Sequence, residues 1–192
     1  MKKHEHATGE KLKNFILGAQ DGLVNVLGLV LAVASATFDT KIILISGIAG
    51  LFAESISMGA VAFTSSKAAR DYYKGEIVKE KRMKLSVKDL EFAEEAYKHP
   101  VQIGIYVLIA TAIGSLIPLL PFFFLPVKTG MYTAVLISAI TLFIIGAVKA
   151  KLTIGDWRKS GLEMLVVGIV AALAGYFIGT LLGSLIGTKV II

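Results

Sequence analysis

Four side chains in the first third of the chain have the types and spacing for ion chemistry: Asp21, Asn25, Glu54 and Met58. They sit inside two apolar runs, Gly22–Ala36 and Ile42–Ser66, or at their edge, and each run has the length and composition of a membrane-spanning helix. A carboxylate inside a bilayer is expensive, and its presence there points to a site. Asp21 and Asn25 are one helical turn apart on one face, and so are Glu54 and Met58. The two runs traverse in opposite directions. Packed together, they would therefore place Asp21 level with Met58, and Asn25 level with Glu54, in a polar ladder along one seam. Carboxylates are hard donors and a thioether is a soft one. Such a set suits a first-row divalent ion such as Fe²⁺, Mn²⁺ or Co²⁺ better than Mg²⁺ or Ca²⁺. Acids without a basic partner in low dielectric either stay protonated or hold a cation, and exchange of one for the other is the chemistry of proton-coupled transport. Two plainer readings stand beside this. The acids could be interhelical hydrogen-bonding groups that only hold the bundle, and Met58 could be packing.

The elements that must position these groups follow from composition. The chain has 192 residues, 55% hydrophobic and only 18% charged, with a mean hydropathy of +0.74. The charges are segregated from the apolar runs, which marks an all-α polytopic membrane protein. Five spans are expected at roughly 15–36, 42–66, 101–123, 130–149 and 161–188. These divide the chain into a cytoplasmic tail (1–14), helices one and two (15–66), a cytoplasmic helical loop (67–99) and helices three to five (100–192). Pro118, Pro121 and Pro126 are expected to make a stiff exit from span three and a short turn. The Lys and Arg count sets orientation. The tail carries 4, residues 67–99 carry 9 and residues 149–159 carry 4, against only Lys41, Lys128 and Lys189 on the other side. The N-terminus is therefore cytoplasmic. The first span has no cleavage site after it and reads as retained.

Composition also excludes function classes. The chain has no cysteine, which removes disulfide, zinc-knuckle and thiol chemistry. The net charge of +6 is explained by residues flanking the spans, without nucleic acid as a partner. Ser57 has no base beside it in sequence and no His lies within a span, so no catalytic constellation is visible. The protein reads as no enzyme and carries no prosthetic group.

In the 67–99 loop, the helix of span two is expected to run on through Lys84, and Ser86 to cap a second helix, Val87–Lys98. Glu76 and Glu80 are spaced i,i+4, as are Glu91 and Glu95, with Glu94 beside them. A bound cation would relieve their like-charge repulsion. The plainer reading is solvated pairs, Glu80 with Lys84 and Glu94 with Lys98. His4, Glu5 and His6 read as part of a mobile polar tail. The glycines of span five, Gly161, Gly168, Gly175, Gly179, Gly183 and Gly187, fall at helix-packing spacings and read as scaffold rather than pathway.

The runs "AQDGLVNVLGLVLAVASA" and "SGIAGLFAESISMGAVAFTSSKAARDYY", then "GSLIPLLPFFF", "LFIIGAVKAKLT" and "WRKSGLEMLVVGIVAALAGYFIG", resemble the vacuolar iron transporter family in the right order over most of the chain. The combination of DGL, SMG and Gly-x-x-x-Pro-x-x-Pro carries the likeness. The resemblance implies a five-helix protomer that forms a homodimer, with an ion path lined by spans one and two between protomers. It implies export of Fe²⁺, sometimes Mn²⁺, from the cytosol in exchange for H⁺. It places the family's intramembrane Asp on Asp21 and its Met on Met58. The family's plant-type Glu falls on Gly50, and Glu54 stands one turn away instead. The family's larger members carry an extended cytoplasmic metal-binding region, which is short here. The host membrane is expected to be a prokaryotic cell membrane, or a vacuolar one in a eukaryote. The competing reading is a non-transporting membrane metal sensor or scaffold using the 67–99 loop.

Overall fold

A computed structural model describes the backbone of residues 2–83, 97–152 and 155–187. Among these residues the chain forms α1 (Lys2–Thr37), α2 (Thr40–Met83), α3 (Pro100–Phe124), α4 (Val127–Leu152) and α5 (Trp157–Ile186). All five are long and apolar enough to cross a membrane, within Leu12–Thr37, Thr40–Lys79, Pro100–Phe124, Val127–Lys151 and Trp157–Ile186. The protein is an all-α polytopic membrane protein, as the charge segregation required.

The central helix is α1. Its Leu23, Val26, Leu27, Val30, Leu31 and Ala34 are buried, and it packs against all four other helices. Small residues allow the close approach. A Cβ added at Gly18 or Gly22 would collide with Thr111 of α3, and one at Gly114 of α3 would collide with the backbone of Ala19. On the other side α5 approaches α1 through Gly175 and Gly179, which abut the carbonyls of Gly28 and Ala32. Ser35 Oγ donates to Tyr176 O across this contact at 3.1 Å. The glycines of α5, Gly161 to Gly183, are buried, consistent with scaffold. Gly187 instead closes α5 in the left-handed conformation (φ 77°) and donates to Gly183 O. In contrast, α2 leans mainly on α3, with Gly59 and Gly104 in close contact. Its other side is left open, with Ile45, Phe52, Ile56 and Val61 exposed.

The turns sit where polar caps permit them. Asp39 caps α2 by accepting from Lys41 N at 2.7 Å and Ile42 N at 3.3 Å. Phe38 before it adopts φ 50°, a left-handed conformation uncommon for a bulky residue. Asp156 caps α5 by accepting from Arg158 N at 2.9 Å.

The helix ends differ in part from those expected. Helix α1 begins at Lys2 rather than after a polar tail. Helix α3 runs through Pro118 and Pro121 to Phe124; Pro121 lies in the last turn, where its carbonyl still accepts from Leu125 N at 2.9 Å. Only Pro126 stands in the turn. In the cytoplasmic segment α2 extends to Met83, close to the expected Lys84. The expected second helix lies mostly outside the described residues, and Tyr97 and Lys98 at its end form a turn and bend instead.

A larger side chain at Gly179 must displace α1 backbone. Gly179→Leu is expected to destabilise the protein by about 1–3 kcal/mol, whereas Gly75→Ala, whose Cβ would meet nothing within 4 Å, is neutral or stabilising by up to about 1 kcal/mol. Thermal unfolding of the detergent-solubilised protein distinguishes the two.

Candidate functional site

The site forms at the α1–α2 crossing, beside the close approach of Gly47 to Val30 and of Gly50 to Leu29. Asn25 is its hinge. Its Nδ2 donates to Asp21 Oδ2, one turn back on α1, at 3.2 Å, and to Glu54 Oε1 on α2 at 2.9 Å. One amide thus gathers two carboxyls from two helices, and the level pairing of Asn25 with Glu54 is the one that opposed traverses impose. Gly50, one turn further along α2, packs on the Leu29 side chain, so the carboxylate on α2 that reaches α1 is that of Glu54. The side chain of Leu29 fills the place next to Gly50.

Burial in this group is graded and unusual. Asp21, Glu54 and Met58 are half-buried, while Asn25 is exposed on the protomer surface. Lys, Arg and His are absent from residues 15–40 and from residues 42–66, so neither helix brings a basic side chain to the acids at this depth. Two unit charges at about 4 Å repel by about 4 kcal/mol at an effective dielectric of 20. That energy must be removed by protons or by a cation. Among the described residues, no three His, Asp or Glu side chains converge on one point, so one protomer offers two carboxyls and an amide, with the Met58 thioether one turn below Glu54.

Met58 marks the junction with a second feature. It faces a cavity of about 290 Å³ between the cytoplasmic ends of α1 and α2, lined also by Lys13, Asn14, Ser65, Ser66 and Tyr97. Sequence reasoning passed over Asn14, Ser65 and Ser66, since each is an ordinary polar residue at a span end. Only the crossing of the two helices makes them face one another.

The cytoplasmic carboxylates fare differently. Glu76 Oε1 accepts from Lys79 Nζ at 2.6 Å, an i,i+3 pair at the helix surface. The Glu80 side chain and Glu91, Glu94 and Glu95 lie outside the described residues.

The family model described as the VIT family matches residues 12–95 and 83–180. The chain belongs to the VIT family. Vacuolar iron transporter 1 of Tulipa gesneriana is 25% identical over 91% of this chain and 87% of its own length. Protein CCC1 of Saccharomyces cerevisiae is 28% identical over 90% of this chain and 69% of its own. An uncharacterised protein of Methanocaldococcus jannaschii is 30% identical over 88% of this chain and 90% of its own. The match covers all five helices and includes both sides of the polar seam, so this VIT-family chain aligns with its relatives through the site as well as the scaffold.

Interhelical hydrogen bonds in membranes contribute about 0.6 kcal/mol each on average and up to about 1.7. Asn25→Ala removes one interhelical bond, to Glu54, and one within α1, to Asp21, and is expected to lower unfolding free energy by about 0.5–2 kcal/mol. Denaturation titration in bicelles measures this; no change would mean that the bridge does not hold α2 to α1.

Proposed function

We propose that the protein exports a divalent transition metal, Fe²⁺ or Mn²⁺, from the cytosol in exchange for protons, as a homodimer whose ion path is lined by α1 and α2. The observation that carries this reading is the Asp21–Asn25–Glu54 group, which lies at membrane depth with its amide exposed. Lipid cannot satisfy such groups. A second copy placed over the same face covers them and doubles the donor set, which brings the number of oxygen and sulfur ligands toward the six or so that these ions take. The exposed small residues Ala49, Ala53, Ser57 and Ala60 along α2 permit that close approach. The name of the tulip relative supports metal transport, since it is a vacuolar iron transporter matched over 91% of this chain. Met58, at the inner end, supplies a soft donor that favours Fe²⁺ or Mn²⁺ over Mg²⁺. The ion meets Met58 and Asp21 first and is handed outward past Glu54; protons return to the same carboxyls. The archaeal relative, of nearly the same span, fits a prokaryotic cell membrane as the host.

In proteoliposomes, Mn²⁺-dependent proton movement is expected for the native protein. Asp21→Asn and Glu54→Gln should each abolish it while eluting as folded protein, because Asn and Gln keep hydrogen-bonding capacity but not the exchangeable charge. Normal flux in both variants would refute the site. Metal binding without any flux in the native protein would favour a sensor instead.

The dimer has its own test. Because the chain has no cysteine, Ala53→Cys introduces the only thiol. It should form a disulfide-linked dimer under mild oxidation in the membrane, whereas Val166→Cys, on the exposed face of α5, should not.

A further inference from the structure

The end where α4 passes into α5 carries positive charge that the ion seam does not use. Lys149 and Lys151 lie in the last turn of α4, and Arg158 and Lys159 lie in the first turn of α5. All four are exposed. The two helices meet here at backbone distance. A Cβ added at Gly146 would collide with Ser160 O and the Gly161 backbone, and one at Gly161 would collide with the Phe143 ring. The cations of both helices are therefore gathered at one level, which the Lys and Arg count assigns to the cytoplasmic surface.

Their surroundings set them apart. On the extension of α2, Arg70 pairs with Asp71 and Lys79 with Glu76. Among the described residues, Lys151, Arg158 and Lys159 make no such ion pair. Two carboxyls are near in sequence. Asp156 is engaged at the start of α5, where it accepts from Arg158 N at 2.9 Å. Glu163 lies one turn deeper than Lys159 on the same face of α5 and is exposed. The Arg158 guanidinium is held by an aromatic ring instead. Its Cζ lies 5.2 Å from the Trp157 ring centroid, and that ring stands edge-on to Phe143 at 6.2 Å. Trp157 is 41% exposed, and an indole of this kind suits the boundary between headgroups and acyl chains. The face of Arg158 continues at four-residue steps through Leu162 and Val166, both exposed, and Val148 is exposed beside them on α4. That strip bears no carboxyl.

We propose that this junction binds an anionic phospholipid of the cytoplasmic leaflet, with Lys151, Arg158 and Lys159 on its phosphate and its acyl chains along Val148, Leu162 and Val166. The proposal goes beyond the transport reading and does not rest on it. A soluble anion such as inorganic phosphate has the same charge, but it has no use for the apolar strip directly beneath the cations. The match of both halves, charged and apolar, selects a lipid. Each Lys or Arg near an anionic membrane surface strengthens binding about fivefold.

The test uses the full chain in phosphatidylcholine liposomes, where Trp157 is the chain's single tryptophan and reports on the site directly. Phosphatidylglycerol brominated high on its acyl chains should reach half-maximal quenching at a mole fraction at least fivefold lower than equally brominated phosphatidylcholine. The triple variant Lys151→Gln, Arg158→Gln, Lys159→Gln should quench equally with the two lipids. Lys151→Arg with Lys159→Arg should keep the preference, and so should Lys2→Gln, Lys3→Gln, Lys11→Gln, which removes the same charge elsewhere. Equal quenching of the native chain by both lipids would overturn the site. A preference lost equally in the Lys2, Lys3, Lys11 variant would mean attraction by net charge alone and would also overturn it. Millimolar inorganic phosphate should leave the preference unchanged; its loss would point to a soluble-anion site and refute the lipid.

Discussion

Everything specific about this protein depends on one amide. Asn25 holds Asp21 and Glu54 together across two helices, neither of which carries a basic side chain within its apolar run. The hydrogen bonds themselves are modest. The electrostatics they organise are not, because two carboxyls that share one amide in low dielectric repel one another strongly when both are charged.

The scaffold fixes both helices of the site from behind. Glycine and small residues fuse α1 to α3 and α5 at backbone distance. Helix α2 is held by α3 through Gly59 and Gly104. Helices α1 and α2 also meet directly, where Gly47 faces Val30 and Gly50 faces Leu29. Beside that contact lies the seam that Asn25 and Glu54 bridge, next to a cavity lined by Met58.

The resemblance drawn from short motifs and the family match agree on the family over most of the chain. Gly50 is where that resemblance placed the family's plant-type Glu. A glycine there admits Leu29 against the α2 backbone, while the acid one turn away reaches Asn25. Helical geometry makes such a shift tolerable, since residues four apart keep the same face and move only about 6 Å along the axis.

The sequence by itself determined the five helices and the level at which each polar group lies along them, because hydropathy and the 1.5 Å rise act locally along the chain. It also sufficed to pair Asn25 with Glu54, since antiparallel neighbours of known depth leave little choice. It did not determine that α1 would begin at Lys2. Nor could it show that Asn25 faces outward from the protomer, or that Asn14 and Ser66 share a cavity with Met58. Those facts belong to the crossing of α1 and α2 over α3. Sequence fixes depth and face along a single helix, whereas the angle and separation between helices come from side-chain packing among all of them.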